Sequence, residues 1–167
     1  MMVTPNSYGI AIRISDRNEY GLSPKNIVNI HFTFSCDTKG PVYFSTNNKQ
    51  DSRFKERLEE VILFFKDGCD IKYVKAKIIK VLSQKDPFLP EDAEKFSPSI
   101  FASDSRRSWY LLDDFCVLNR NEVSNYFYRN NDNLQLEPLD LVLDRPRFPK
   151  CYYEFYSENK NLKNLFE

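Results

Sequence analysis

The period of the hydrophobic pattern is the strongest constraint on this chain. Residues 70–83, DIKYVKAKIIKVLS, are rich in β-branched residues and read as a long strand. Their alternation slips around Lys77–Ile79, which predicts a bulge or a bend. Strand periodicity recurs in YGIAIRIS (8–15), NIVNIHFTFS (26–35), PVYFSTN (41–47) and SWYLLDDFCVLN (108–119). In 26–35 the alternation sets Val28, Ile30, Phe32 and Phe34 against Ile27, Asn29, His31 and Thr33. In 108–119 it sets Trp109, Leu111, Asp113, Phe115 and Val117 against Tyr110, Leu112, Asp114, Cys116 and Leu118.

Two segments read as helix. SRFKERLEEVILFFKDG (52–68) places Phe54, Leu58, Val61, Ile62 and Phe65 on one helical face, with Asp51 or Ser52 to cap it and Gly68 to stop it. NEVSNYFYRN (121–130) reads as a short capped helix, and LQLEPLDLVLDR (134–145) is ambiguous. QKDPFLPEDAEKFSPSIFASDS (84–105) holds three prolines and reads as a long connection of the kind that often carries binding function. The order β-β-β-α-β-loop-β-α-β, joined by hairpins and loops, predicts an α+β domain. Its expected form is a bent mixed β-sheet or small β-barrel with one long and one or two short helices. One domain is expected over 1–157, with a solvated tail at 158–167.

Totals narrow the function. At 167 residues the chain is long enough to bury a core without a metal or disulfide staple. Twenty-four basic and twenty-four acidic residues give no net charge, which argues against a protein held on duplex DNA by bulk charge. Four glycines and no GxGxxG or GxxxxGK[ST] string argue against a phosphate-cradling loop. Cys36, Cys69, Cys116 and Cys151 form no CxxC pair, and one histidine cannot complete a zinc set, so no metal or other cofactor is expected and the thiols are expected free and mostly buried. The first residues do not read as a secretory signal, and no stretch is apolar enough for a membrane helix; a cytoplasmic protein without membrane partners is expected.

Arg106, Arg107, Trp109 and Tyr110 pair guanidiniums with aromatic rings, an arrangement that stacks a base and forks onto phosphate. The plainer reading is a buried strand start with solvated arginines before it. Ser45 and Asn47, with Thr46 and Asn48, place groups able to read a base edge at a strand end, where turn chemistry also favours them. Arg145, Arg147, Lys150 and Tyr152 form a second basic-aromatic patch. His31 has no fixed partner in the pattern and reads as a surface or half-buried residue rather than a general base. Asp113 and Asp114, adjacent on a strand, point to opposite faces and cannot jointly hold a nuclease metal without a bulge. No catalytic residue and no metal ligand is assigned; were the chain an enzyme, a metal-dependent nuclease would be the class.

Over residues 40–128 the pattern resembles the PUA-like superfamily, in particular its EVE, ASCH and YTH branches. GPVYFST resembles the strand ending beside the ligand pocket, VKAKIIKVLS the long bent strand, and SWYLLDDFCVLN the strand that follows a lid-like loop. The resemblance implies recognition of RNA, a nucleotide or a modified base in DNA, in a pocket beside the proline-rich connection. It transfers no binding residue position by position. The alternative is an interaction protein of a phage or mobile element, binding a host protein partner through an aromatic-rich face, consistent with 15% aromatic residues and neutral charge.

Overall fold

The computed structural model describes residues 7–48, 57–129, 135–145 and 150–155. Among the described residues the eight strands are β1 (Ser7–Arg13), β2 (Val42–Thr46), β3 (Leu58–Asp67), β4 (Asp70–Phe88), β5 (Arg106–Leu118), β6 (Phe127–Arg129), β7 (Leu136–Pro138) and β8 (Lys150–Phe155). The helices among the same described residues are α1 (Pro24–Thr38), α2 (Ala93–Phe96), α3 (Arg120–Val123) and α4 (Leu139–Leu143). The strands join one mixed sheet in the order β2-β5-β4-β3-β1-β8-β6-β7, in which β1 and β3 run parallel and the other paired neighbours antiparallel. The β6–β7 hairpin joins β8 through one pair, Phe127 with Glu154. The sheet stays open between β2 and β7, so the α+β class and the bent mixed sheet hold and the barrel form is not adopted.

Two elements exchange identity relative to the sequence reading. Residues 26–35, expected as a strand, lie inside α1. Ser23 caps the helix by accepting the Asn26 N–H at 3.1 Å, Pro24 opens it with its φ already set, and Lys39 closes it in the left-handed region at φ 53°. The buried set Ile27, Val28, His31 and Ser35 follows helical spacing; the alternation of β-branched and aromatic residues was coincidental. Residues 58–67, expected as helix, form β3. Val61–Phe65 is an unbroken buried run, because the sheet is covered on both faces at this central strand. The remaining helix at 120–123 is shorter than expected and is capped by Asn119 with Glu122 in a capping box, and the ambiguous 134–145 segment divides into β7 and α4. The 84–105 connection begins as strand, since β4 runs on to Phe88, and then holds α2.

The sheet carries α1 on one face and α2, α3 and α4 on the other. Under α1 pack Ile10, Ile12, Val61, Leu63, Ala76, Ile78, Tyr110 and Leu112. Across the sheet, Ala11, Ile62, Phe64, Tyr73, Leu118 and Tyr153 meet Val123 of α3 and Leu139, Val142 and Leu143 of α4, while Tyr43, Trp109 and Leu111 meet Ala93 of α2. Gly9 sits beneath Tyr153: a Cβ built there would lie 2.2 Å from the ring, so only glycine lets the ring cross β1.

The bend expected at Lys77–Ile79 is present as paired register shifts between β4 and β5, at Lys75/Lys77 and at Ile78/Lys80. Opposite the first, Asp114 takes φ 54°. The extra residue rotates all that follows it by one place. Trp109 and Leu111 therefore face α2, as the alternation requires, but Phe115 packs on the α1 side and Leu118 crosses to the face of Trp109.

Among the described residues no helix is long and apolar enough to cross a membrane. Cys36, Cys69 and Cys116 are free, and all three are exposed rather than buried, because they fall on the outer side of α1, in the β3–β4 turn and on an uncovered part of β5. The expected tail at 158–167 lies outside the described residues.

Candidate functional site

A cleft of about 440 Å³ opens where β1 runs into α1 and where β2 ends. That is within the range of roughly 300–1,000 Å³ typical of small-molecule sites. Its first wall is the 15–22 loop, which Asn18 organises. The Asn18 carboxamide accepts the N–H groups of Tyr20 and Leu22 at 3.0 and 3.2 Å and donates to the Leu22 carbonyl at 2.6 Å. Gly21 takes φ 65°, where a side chain would be strained. The loop thereby delivers Glu19 and Tyr20 to the cleft.

Both meet Arg106, the first residue of β5. Its guanidinium pairs with the Glu19 carboxylate, donates to the Tyr20 hydroxyl at 2.9 Å and lies 3.6 Å from the Asp104 carboxylate. The Tyr20 hydroxyl in turn donates to Asp104. Burial pushes the Asp104 carboxyl above its ordinary range; Arg106 opposes this and Glu19 adds to it.

The second wall is aromatic. His31 of α1 is 3% exposed, stacks on Phe101 at 4.9 Å and 13°, and tilts against Phe44 at 5.4 Å. Tyr20 meets Phe101 edge-on at 4.9 Å. Nδ1 of His31 lies 2.7 Å from the Ile27 carbonyl oxygen. Burial lowers its pKa to about 4, against a smaller opposing effect of that bond, so the ring is neutral at physiological pH.

The third wall is the end of β2: Ser45, Thr46, Asn47 and Asn48. The Asn48 N–H donates to Thr46 Oγ1 at 3.2 Å, and the Asn48 carbonyl accepts from Ser108 Oγ at 2.8 Å, anchoring this end to β5. Asn47 remains exposed at the rim.

Of the six residues that the sequence singled out first, Ser45, Asn47 and Arg106 line this cleft. Arg107 is exposed and faces away in the alternation of β5. Trp109 and Tyr110 are each 1% exposed and lie on opposite faces of the sheet, and neither is among the residues that line the cleft. The Trp109 indole N–H donates to the carbonyls of Phe88 and Arg106, at 3.0 and 3.3 Å, locking β5 to the end of β4. In the second patch, Arg145 pairs with Glu137 at 3.2 Å and Tyr152 is half-buried toward the α1 side. Lys150 begins β8, and Arg147 lies outside the described residues. Glu19, Tyr20 and Phe101 were not anticipated, and His31, expected at the surface or half-buried, is instead buried because it lies on the inner side of α1 rather than on a strand. The Ser23–Pro24 helix start would have revealed 15–22 as a strand-to-helix loop and placed His31 one turn beyond Ile27 on the buried side.

On the opposite face a groove of about 500 Å³ is lined by Glu60, Lys75, Lys77, Asp114 and Cys116, among others. Burial raises the Glu60 carboxyl pKa, opposed by Lys75 at 3.9 Å and by the Tyr153 hydroxyl, which donates to it at 3.0 Å. Asp114 alone of the Asp113–Asp114 pair lines it. Among the described residues no group of three or more His, Cys, Asp or Glu side chains is placed to hold a metal ion.

The chain matches no protein-family model, no curated protein and no solved structure.

Proposed function

We propose that the chain is a recognition domain that captures a nucleotide, a modified base or a short stretch of RNA in the cleft between the 15–22 loop and the end of β2, in the manner of PUA-like domains. The observation that carries the reading is convergence: Ser45, Asn47 and Arg106, chosen from sequence for base and phosphate contact, share one cleft with the His31–Phe101–Tyr20 wall. Amides offer both donor and acceptor to a base edge, and aromatic surface favours a flat ring. The proline-rich connection supplies Phe101 to the cleft and Asp104 to the Arg106 and Tyr20 groups that line it.

Thermal melts with single-stranded RNA, modified DNA, nucleotides and nucleosides test this. A ligand at 100 times its Kd adds about 2.7 kcal/mol to stability, an easily read shift. Asn47→Ala, at the exposed rim, is expected to weaken binding without moving the ligand-free melting temperature. If no member of the panel shifts the melt, the reading is wrong.

A second reading, a protein-interaction module of a phage or mobile element, is favoured by Phe32, which is 46% exposed and packs edge-on to Phe115 at 6.0 Å, and by Val117, 76% exposed on the same strand. Its sign is a protein partner retained after nuclease treatment and lost in Phe32→Ser.

A further inference from the structure

We infer that the cleft takes an uncharged, hydrogen-donating ligand, a free base or a nucleoside rather than a phosphorylated one, and that Nε2 of His31 is the acceptor that selects it. The inference rests on the recognition reading above and narrows its ligand class.

It starts from the hydrogen on the ring. A backbone carbonyl only accepts, so the 2.7 Å contact with Ile27 places the proton on Nδ1. In a neutral imidazole that leaves Nε2 with a bare lone pair. No described group bonds to Nε2, and His31 lines the cleft although it is 3% exposed. Nε2 is not one of the buried, unpartnered polar atoms among the described residues, so it is an accessible acceptor that an occupant of the cleft carrying a donor would engage. The parallel stack on Phe101 and the tilt against Phe44 fix the plane of the ring, so the lone pair has one direction.

The second argument is charge. Arg106 is the residue a phosphate would seek, yet its guanidinium already faces two carboxylates, Glu19 and Asp104, and the Tyr20 hydroxyl is taken by Asp104. A phosphate brought to Arg106 meets both carboxylates, and like charges forced together at an interface oppose binding. Arg13 lines the cleft but turns its guanidinium to the other face, donating to the Leu143 carbonyl at 3.0 Å and stacking over Phe64. Arg17 remains at the exposed rim, so among the described residues the guanidiniums of Arg17 and Arg106 are balanced by the carboxylates of Glu19 and Asp104. What remains for the ligand is a neutral set: one imidazole acceptor, the groups of Ser45, Thr46, Asn47 and Asn48, and aromatic surface.

Calorimetric titration of the full chain with the four ribonucleosides, their 5′-monophosphates and inorganic phosphate reads both halves. At least one nucleoside is expected to bind ten times more tightly than its own monophosphate. His31→Phe, checked for folding by circular dichroism, is expected to weaken that nucleoside at least tenfold. His31→Gln, whose carboxamide oxygen reaches the place of Nε2, is expected to retain most of the affinity. A monophosphate that binds as well as its nucleoside, or His31→Phe binding within threefold of the natural chain, overturns the inference. Binding of RNA or nucleotides without binding of nucleosides overturns the inference and leaves the recognition reading standing; no binding at all removes both. If neither His31 variant folds, the nucleoside-to-monophosphate ratio on the natural chain still decides the matter.

Discussion

The imidazole of His31 lies flat on the phenyl ring of Phe101, 4.9 Å between centroids and 13° from parallel. It joins α1 to the connection between β4 and β5 and forms part of the cleft's aromatic wall. Because the ring is neutral and enclosed, this contact makes stability depend on pH. The folded-state pKa, about 4, lies below the ordinary value of 6.5. As pH falls, the unfolded chain takes up the proton first, so the contribution is complete above about 6.5 and is lost as pH drops toward 4. The loss is on the order of 3 kcal/mol for this near-completely buried group. Denaturant titrations across that range are expected to show the decline, and His31→Phe is expected to flatten it.

Glu60 is expected to act in the opposite sense. Burial raises its carboxyl pKa, with Lys75 and the Tyr153 hydroxyl only partly opposing. The fold therefore prefers the protonated form. The stability this carries is full below the ordinary carboxylate pKa and lost as pH rises through the elevated one. Glu60→Gln keeps an acceptor for Tyr153, so it is expected to melt above the natural chain at neutral pH, with the gap closing under acid conditions. Equal melting temperatures at neutral pH would show that Lys75 fully compensates the buried charge.

Gly9→Ala tests the packing of β8 on β1. The new methyl would lie 2.2 Å from the Tyr153 ring, which is itself 1% exposed and bonded to Glu60, so the ring has nowhere inexpensive to move. Overpacking of this kind costs roughly 1–3 kcal/mol. Equilibrium unfolding measures it, and Tyr153→Leu in the same background is expected to recover part of the loss.

Asp114 tests the bulge. At φ 54° a β-branched residue is strained, and Asp114→Val is expected to destabilise by roughly 1–2 kcal/mol. Asp114→Gly is expected to be within about 1 kcal/mol of neutral. A Val variant as stable as the Gly variant would mean that β5 abandons the left-handed turn without penalty.

Several elements were legible in the sequence for sound physical reasons. β1, β2, β4 and β5 were read from alternation and β-branched content, and the slip at Lys77–Ile79 marked a real register shift. The exchange of α1 and β3 has an equally physical cause. Val61–Phe65 is apolar throughout because both sheet faces are covered, and such a run also satisfies a helical stripe. In α1, branched and aromatic residues happened to alternate, and the Ser23–Pro24 start was the signal that distinguished the two. At the cleft, Ser45, Asn47 and Arg106 were readable as polar groups at strand ends. Glu19, Tyr20, His31 and Phe101 come together from three separate stretches of chain, and periodicity carries no information about such meetings. The side of Phe115 was unreadable for another reason: one residue at Asp114 reverses the parity of the rest of β5.

That reversal gives β5 a place in every apolar cluster: Tyr110 and Leu112 beneath α1, Trp109 and Leu111 beside α2, and Leu118 beneath α3 and α4. Peeling this one strand away would dissolve all three at once, so no layer can melt while the others persist. The protein should accordingly denature in a single cooperative step, its calorimetric and van't Hoff enthalpies agreeing.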